Sequence, residues 1–397
     1  MIKQKKELPV AVVGAGMIRF GELFDQSYDD MIVGAYRECL KSVDKGVDEE
    51  DIEAAWFGTC LPGATVRREA MGGAGLAEPL RFYPRPVTRI ENYCGSGSDS
   101  CRNAAFAVAA GIYDLVLVLG AEKMRDIPSR DSIIAQVGRG FHNWWAPRGS
   151  SSPQRFGSYA LAHMKQFGTK KEHFAMIAVK NHHHASLNPK SYFQNDVTLE
   201  QVMNAPIVSW PLGIFDACPT TDGAAAVLLT RPDKAHEYTD RPMYFWGTGV
   251  ATDPFYVSNK KSYVGWPATE EAARQAYEMA GIGPEDIDLA ELHDCFTSTE
   301  LITYEDIGFC KKGEGPKWLE EGHPMLDGDK PCNTSGGLKG KGHPIGATGV
   351  AQIVELWQQL RGEAGERQIK NAHIGLTHNL GGIGSICVIN VFGDEPR

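Results

Sequence analysis

The pattern of apolar and polar positions divides the chain into alternating short strands and amphipathic helices. Apolar residues recur at helical spacing over residues 29–43 and 269–280, and each segment leads into a short apolar run typical of a buried strand. Another strand precedes each helix and ends in Gly-x-Gly, at residues 14–16 and 247–249. Both halves therefore follow the order strand, helix, strand, which predicts an α/β fold with parallel strands joined by helices.

A weak internal repeat relates the two halves. GVDEEDIEAAWFGTC (46–60) aligns without a gap with GIGPEDIDLAELHDC (281–295), and Gly, Glu, Asp, Ile, Ala and Cys coincide. Further on, CGSG opens one apolar helix at Cys94, and HPIG opens its counterpart at His343. The repeat predicts that Cys94 and His343 occupy equivalent positions and meet across a pseudo-two-fold axis.

The spacing of the last strands predicts an insertion in the first half. AAAVLLT follows the preceding strand LVLVLGA only after a long interval, whereas SICVINV follows AHIGLT almost at once. We therefore predict two βαβαβαββ halves, with a lid or loop domain inserted into the first. The predicted bounds are 1–121 with 222–240 for the first half, 122–221 for the insertion and 241–397 for the second half.

The predicted insertion contains helical patterns over residues 156–167 and 172–186 and is rich in aromatic and basic side chains. Those singled out are Trp144, Trp145, Arg139, Arg148 and Arg155. Its three adjacent histidines, residues 182–184, do not predict a metal site, because neighbours on a helix diverge by about 100° each. The aromatic residues either form a wall that faces the substrate or pack within the lid itself, and the sequence leaves both alternatives open.

Composition narrows the function classes. A net charge of -10 argues against a nucleic-acid partner, although Lys339 and Lys341 are candidate anion contacts. Nine cysteines without a CxxC pair fit a reducing compartment better than a disulfide framework. With no signal-peptide core and no apolar run long enough for a membrane span, the sequence predicts a cytoplasmic protein without a membrane partner.

The predicted position of Cys94 has a chemical meaning. A thiol at a helix N-terminus experiences the positive end of the helix dipole, which lowers its pKa, and the free N–H groups there can hold an oxyanion. An adjacent imidazole completes an activated nucleophile. A cysteine after a strand is more often a buried structural thiol, but the matching position of His343 favours the catalytic interpretation.

Two glycine-containing motifs offer further chemistry. The stretch GGLKGKGHPIGATG (336–349) surrounds His343 with six glycines, which indicates close approach of backbone or of a bulky ligand. It lacks the GxxxxGK[ST] spacing of a phosphate-binding loop. THNLGGIGS (377–385) predicts a turn between the last two strands, in which His378 is either catalytic or orders the loop.

The motif ELHDCF supplies His293 and Cys295, which share a face if they lie on a strand. They are candidate zinc ligands, but no second pair of suitable spacing lies nearby. We therefore predict acid/base and oxyanion roles for both residues and no metal site; the alternative is a packed strand end.

Together, CGS at Cys94, HDCF at His293, GHPIGATG at His343 and HNLGG at His378 resemble the thiolase superfamily, and more narrowly its sterol-carrier-protein-type and archaeal-type branch. KNHHHASLNP and CPTTDGAAA also resemble that branch. The resemblance implies a five-layered αβαβα fold, a homodimer, and coenzyme A as a substrate without any further cofactor. It also implies, for some members, a small partner protein with a zinc ribbon and an OB-fold.

The resemblance also implies roles for individual residues. Cys94 attacks the 3-oxo carbonyl of a 3-oxoacyl-CoA after His343 takes its proton, and the Cα–Cβ bond breaks. Many thiolases carry their second acid as a cysteine where this chain has His378, so Cys295 is the candidate here. His293 and His343 then hold the enolate oxygen, and N–H groups of Cys94 and of the turn near Gly381 stabilise the tetrahedral intermediate.

Two alternatives remain at this point: a decarboxylating condensing enzyme of the ketoacyl synthase kind, and a non-catalytic acyl-CoA-binding subunit. The cysteine of HDCF favours a thiolase over the first, and the complete set of motifs argues against the second. The aromatic and basic insertion suggests a bulky aromatic or carboxylated acyl group, such as that of benzoylsuccinyl-CoA.

Overall fold

The computed structural model describes residues 8–62, 72–128 and 151–397. Trp144, Trp145, Arg139 and Arg148, which the sequence singled out, lie outside the described residues. Within the described ranges, helices long and apolar enough to span a bilayer are absent.

The main elements alternate along the chain much as the apolar pattern predicts. The strands are β1 (Ala11–Met17), β2 (Ala54–Gly58), β3 (Val87–Ile90), β4 (Leu115–Glu122), β5 (Ile207–Ser209), β6 (Leu212–Gly213), β7 (Gly223–Thr230), β8 (Met243–Thr252), β9 (Leu289–Glu291), β10 (Ile374–Gly381) and β11 (Ile386–Gly393). The helices are α1 (Tyr28–Lys41), α2 (Ala74–Leu80), α3 (Ser96–Ala109), α4 (Ser152–Phe167), α5 (Lys171–Ser186), α6 (Leu199–Met203), α7 (Pro232–Tyr238), α8 (Pro267–Ala280), α9 (Thr297–Asp306), α10 (Gly315–Glu320), α11 (Gly337–Lys341) and α12 (Thr348–Leu360).

The order of the strands carries the internal repeat. It runs β3-β2-β4-β7-β1-β8-β11-β10-β9, so each half mirrors the other about the β1–β8 junction. There the halves join through the pairs Ala11–Tyr244 and Val12–Met243. Cys332 forms a parallel bridge with Ala290 of β9, in the place that β3 takes beside β2. The prediction of parallel strands holds for β2, β3, β4, β9 and β10, whereas β1, β7, β8 and β11 pair antiparallel.

Two cores, one on each face of the strands, produce the layered architecture. In β4, Leu117 packs into the core that includes α1 and α8, whereas Val116 and Val118 pack into the core around α3 and α12. Helices α3 and α12 contact each other and strands of both halves, while α1 and α8 cover the outer faces. This order of helix, strand, helix, strand and helix layers confirms the predicted αβαβα fold.

The repeated Gly-x-Gly lets a helix lie directly on a strand. A Cβ added at Gly16 would lie 2.3 Å from the backbone nitrogen of Cys39 in α1. One added at Gly249 would lie 1.9 Å from the carbonyl oxygen of Ala272 in α8. Any side chain at either position would push the outer helix away, so the same requirement for glycine appears in both halves.

The predicted insertion contributes α4, α5, α6, β5 and β6; its exact bounds stay a prediction. Buried polar side chains of α5 tie it to the second half of the chain. Lys180 Nζ lies 2.9 Å from Glu300 Oε1, and the Asn181 amide donates to the carboxylates of Asp294 at 2.7 Å and Glu300 at 2.6 Å. As predicted, the three histidines of α5 diverge: His182 lies against Lys339, while His183 lies 3.3 Å from Asp196 on the surface.

Candidate active site

Cys94 lies in the short connection between β3 and α3, one residue before the N-cap of that helix, Gly95. Tyr93 precedes it with a φ of 51°, a left-handed conformation that few side chains adopt. The backbone N–H groups of Gly382 and of Cys94 itself are directed at the thiol. A glycine after Cys94 and a sharp turn before it thus place the sulfur beside two amide donors.

The electrostatics of Cys94 differ from the prediction. Burial raises the pKa of the thiol to about 12, and the nearby carboxylates of Glu122 and Glu91 raise it further, against the effect of the two amides. The prediction of a lowered pKa was wrong, because the desolvation of a thiolate outweighs the helix terminus here. The cysteine of the free protein is therefore a neutral thiol that needs a base.

His343 supplies a base with a defined tautomer. Its Nδ1 lies 2.7 Å from Oγ1 of Thr348, whose single hydroxyl proton is donated to the Pro344 carbonyl at 2.9 Å. The hydroxyl must then accept from Nδ1–H, which leaves Nε2 unprotonated. Burial lowers the pKa of His343 to about 3, so the ring is neutral in the free protein and its Nε2 lone pair is unoccupied.

His293 follows β9 and has the opposite tautomer. The Asn379 side-chain amide donates to its Nδ1 at 3.2 Å, so Nε2 carries the proton. The rings of His293 and His343 meet edge to face, with centroids 5.2 Å apart. The Cys94 sulfur and one ring nitrogen of each histidine all lie within 4.8 Å of one another. The repeat thus predicted the meeting of Cys94 and His343, and the structure adds a hydrogen-bond donor to the pair.

Cys295 belongs to the same cavity. Its sulfur lies 3.9 Å from the Thr299 hydroxyl, and its carbonyl accepts from the Cys218 N–H at 2.9 Å. Burial raises its pKa well above the usual value, so the group retains its proton. Because β9 ends at Glu291, the HDC stretch follows the strand instead of extending it, yet both His293 and Cys295 line the cavity.

The cavity measures about 490 Å³ and is largely apolar. Alongside the catalytic candidates it is lined by Cys60, Leu61, Glu91, Tyr93, Met124, Ser151, Ser152, Pro153, Arg155, Phe156, Ala217, Cys218, Pro219, Thr220, Phe255, Phe296, Ile345, Gly382 and Ile383. Two pairs of stacked rings form part of its wall: Tyr93 with Phe255 at 6.1 Å and Phe156 with Phe296 at 4.8 Å. Arg155, one of the arginines that the sequence analysis singled out, lines this cavity.

His378 and Gly381 take positions behind the cavity. His378 lies within β10 instead of in the predicted turn, is fully buried and does not line the cavity. Its Nδ1 accepts from the His293 N–H at 3.2 Å, and its Nε2 contacts the Thr269 hydroxyl at 3.0 Å. These contacts favour the interpretation that His378 orders the neighbouring backbone over a catalytic role for it. Gly381 ends β10 opposite Ile386, and the amide directed at the Cys94 thiol belongs to the next residue, Gly382.

The glycines around His343 serve the close approach of backbone to backbone. A Cβ at Gly346 would lie 2.5 Å from the Gly58 carbonyl, and one at Gly120 would lie 2.3 Å from the Gly346 carbonyl. Glu122, which the sequence analysis missed, accepts from the N–H groups of Cys60 at 2.8 Å, Leu61 at 2.9 Å and Gly346 at 3.1 Å. The one sequence feature that could have indicated this role of Glu122 is a carboxylate at the end of an apolar strand. It joins the loops of the two halves beneath the site.

The anion contacts predicted for Lys339 and Lys341 are wrong. Both side chains are buried, at 1% exposure each, and cannot reach a phosphate at the surface. Lys341 donates to the Ser335 hydroxyl at 2.7 Å and lies 3.4 Å from Glu291. Lys339 lies 3.3 Å from His182 Nε2, and burial lowers its pKa to about 8.

Cys94, His293 and His343 offer three atoms that a metal ion could bind. Zinc bonds of about 2.1 Å to nitrogen and 2.3 Å to sulfur place tetrahedral donors roughly 3.5 Å apart. A spread of up to 4.8 Å is wider than that and leaves room for a carbonyl group between sulfur and rings. The donor set therefore fits acyl chemistry better than a closed metal site.

A cysteine beside two histidines is a donor set suited to covalent acyl transfer, and the comparisons name the family of this chain. Residues 10–209 match the family model "Thiolase, N-terminal domain", and residues 249–394 match "Thiolase C-terminal domain-like". The chain belongs to the thiolase family and is an acyltransferase of that type.

Similar proteins place the chain more closely within the family. It is 42% identical to the acetyl-CoA acetyltransferase of Methanothermobacter thermautotrophicus over 383 residues, which cover 96% of this chain and 99% of the relative. It is 36% identical to sterol carrier protein 2 of Homo sapiens over 405 residues, covering 96% of this chain and 71% of the relative. Among solved structures it is similar to the "Ltp2-ChsH2(DUF35) aldolase", with a TM-score of 0.84, 24% identity, and coverage of 98% of this chain and 99% of that one.

Proposed function

We propose that the protein catalyses the CoA-dependent cleavage of a 3-oxoacyl-CoA, or the reverse Claisen condensation, through an acyl-enzyme on Cys94. The observation that carries the proposal is the convergence of the Cys94 sulfur and the two histidine rings within 4.8 Å, in a cavity that Cys295 also lines. A decarboxylating condensing enzyme has no use for the second thiol, whereas carbon–carbon cleavage requires a second acid.

In the first step, Nε2 of His343 takes the Cys94 proton as the sulfur attacks the 3-oxo carbonyl carbon. Moving the proton with the attack avoids a free thiolate in a site where burial disfavours it. The tetrahedral oxyanion accepts hydrogen bonds from the N–H groups of Cys94 and Gly382. Its collapse breaks the Cα–Cβ bond and leaves an acyl thioester on Cys94 and the enolate of an acyl-CoA.

In the second step, the enolate oxygen accepts hydrogen bonds from Nε2–H of His293 and from the newly protonated Nε2–H of His343. Cys295 donates its proton to the enolate carbon and becomes a thiolate. That thiolate then takes the proton of the incoming CoA thiol, and the CoA sulfur attacks the acyl carbon. The bond from that carbon to the Cys94 sulfur breaks, and the released Cys94 thiolate takes back the proton that His343 holds on Nε2. The raised pKa of Cys295 makes it a thiol before the reaction and a strong base after it.

The walls of the cavity support a bulky aromatic or carboxylated acyl group, such as that of benzoylsuccinyl-CoA. The two stacked ring pairs provide flat apolar surface, and Arg155 places a guanidinium in a largely apolar cavity. A carboxylate is the group that guanidinium binds best, through two parallel hydrogen bonds.

We further propose a cytoplasmic homodimer that needs no metal or prosthetic group. All nine cysteines are free thiols, which suits a reducing compartment. The edge strand β3 is only partly buried, and exposed apolar side chains lie near it, namely Tyr83, Phe106 and Ile112. The name of the similar aldolase joins Ltp2 to ChsH2(DUF35), which supports a partner protein here as well. We propose that this partner is the small zinc-ribbon and OB-fold protein that the resemblance implies.

The test is CoA-dependent cleavage of a panel of 3-oxoacyl-CoAs, with intact-protein mass spectrometry to detect the acyl adduct and EDTA present to remove metal. We expect an adduct on the wild type and none on Cys94→Ala. Release of carbon dioxide from malonyl-CoA would instead indicate the decarboxylating enzyme, and the absence of any adduct would indicate a non-catalytic subunit.

A further inference from the structure

A buried ammonium group holds the turn that presents the Gly382 amide. Lys260 Nζ donates to the carbonyl oxygen of Gly384 at 2.7 Å and to the carboxylate of Asp253 at 2.6 Å. The side chains of Lys260 and Asp253 are only 1% and 9% exposed. Burying such a pair has a desolvation cost, which a hydrophobic pair would avoid. Its location therefore calls for an explanation beyond stability.

The peptide that joins Gly384 to Ser385 is held at both of its polar groups. Its N–H, that of Ser385, donates to the Gly381 carbonyl at 3.0 Å and closes the turn between β10 and β11. Its carbonyl oxygen, that of Gly384, accepts from Lys260. Gly382 and Gly384 have φ values of 62° and 61°, so both occupy the left-handed region. The ring of Trp266 lies against Gly384, where a Cβ would come within 2.5 Å of it. Lys260 is therefore the side chain that fixes the carbonyl end of this peptide.

The segment that carries Lys260 reaches both sides of the nucleophile. Asp253 donates its N–H to the Ser385 carbonyl at 2.9 Å, which anchors the start of the segment to the turn. Phe255 stacks on Tyr93, the residue that precedes Cys94. Residues 253–260 thus contact the amide-bearing turn on one side and the strained approach to Cys94 on the other.

We propose that Lys260 is a positioning residue for the oxyanion-binding amide of Gly382. By holding the Gly384 carbonyl, its ammonium fixes the turn so that the Gly382 N–H faces the oxygen that becomes negative during attack by Cys94. The inference rests on the proposed acyl-enzyme on Cys94. Displacing such a donor by 1 Å slows the reaction roughly a hundredfold. The hydrogen bond from Lys260 to the Gly384 carbonyl therefore affects the chemical step and leaves substrate binding nearly unchanged.

The test measures the rate of acylation of Cys94 by an acyl-CoA, using rapid quenching and intact-protein mass spectrometry. Lys260→Met keeps the length of the side chain but removes the hydrogen bonds, and Lys261→Met is the matched control at the exposed neighbouring position. We expect acylation of Lys260→Met to slow by roughly tenfold to a hundredfold at saturating acyl-CoA, with a half-saturating concentration close to that of wild type. Lys261→Met should acylate at the wild-type rate.

A second pair of variants separates positioning from folding. Asp253→Asn leaves a buried ammonium without its counter-charge and should lower the melting temperature. In the double variant Lys260→Met/Asp253→Asn the melting temperature should return towards wild type, while acylation stays slow because Gly384 still lacks its donor. Acylation of either Lys260→Met variant at the wild-type rate would overturn the inference. A wild-type protein that forms no adduct would overturn the proposed function itself, and the inference with it.

Discussion

The backbone N–H of His293 donates a hydrogen bond to Nδ1 of His378 at 3.2 Å, so a histidine outside the cavity holds the backbone of one inside it. The contact explains why HNLGG carries a histidine where many thiolases place a catalytic cysteine. His378 holds the start of the segment that carries His293 and Cys295, the residue proposed as the second acid.

Replacing His378 with Phe keeps a ring but removes the acceptor for the His293 N–H. An unpaired buried amide costs about 1 to 3 kcal/mol, so the free energy of unfolding should fall by that amount. Cleavage should slow roughly tenfold or more because His293 shifts. Thr269→Val removes the contact at Nε2 and one with Cys387 but keeps the acceptor for the His293 N–H, so it is the control and should slow cleavage less. Equal kcat values for His378→Phe and wild type would contradict the ordering role.

Thr348 should control the tautomer of His343. Thr348→Val removes the acceptor for Nδ1–H, so the ring can carry its proton on Nε2 and lose its capacity as a base. We expect kcat to fall by roughly a hundredfold to ten-thousandfold, the upper figure being the loss when the histidine of a serine protease takes the wrong tautomer. Thr348→Ser retains the hydroxyl and should keep most of the activity. Similar steady-state rates for the Val and Ser variants would show that the tautomer is set elsewhere.

Cys295→Ala should separate the two steps of the proposed reaction. The variant should still acquire an acyl group on Cys94 from an acyl-CoA donor, because attack uses His343. It should fail to cleave or form the carbon–carbon bond, because the enolate carbon has no proton donor. Cys218→Ala is the matched control, since Cys218 lines the same cavity and contacts Cys295. Full turnover by Cys295→Ala would remove it from the mechanism.

Each buried histidine should contribute a loss of stability in mild acid, and the buried carboxyl groups of Glu122, Asp294 and Asp306, whose pKa values burial raises to about 7 each, should contribute in the opposite direction. Burial lowers the pKa of His343 and of His378 to about 3 each, and lowers the pKa of His293 well below its usual value. At these histidines the unfolded chain binds protons near pH 6.5 and the folded chain does not, so their contribution to stability decreases as pH falls from 6.5 towards 3. Each histidine should lower the free energy of unfolding by about 1 kcal/mol between pH 7.5 and 5.5. Urea unfolding of the wild type and of His378→Phe at the two pH values isolates the contribution of His378, because the carboxyl groups are the same in both; the change with pH should be about 1 kcal/mol more favourable in the variant.

Arg155 should select the acyl group. In Arg155→Gln we expect KM to rise at least tenfold for a carboxylated 3-oxoacyl-CoA, since a bidentate charged contact is lost. Acetoacetyl-CoA, which lacks the carboxylate, serves as an internal control with the same variant, and its KM should stay within about twofold. An equal rise for both substrates would assign Arg155 to the packing of the cavity wall.

The sequence predicted the architecture well because its two strongest signals, apolar periodicity and an internal repeat, can both be found without knowing any contact. They placed Cys94 against His343 without any knowledge of distances. The pKa of Cys94 was mispredicted because it depends on Glu122 and on the depth of the cavity, both set by distant parts of the chain. Lys341 was taken for a surface cation for the same reason, since its partner Glu291 lies fifty positions away and is also buried.

The tight approach of Gly346 to β2 and β4 makes the candidate site a product of both halves together. The first half contributes Cys94, and the second contributes His293, Cys295 and His343. The loop that bears His343 is seated against the first half with no space for a side chain at Gly346. The cluster therefore exists only when both halves are folded against each other, and neither half alone contains it.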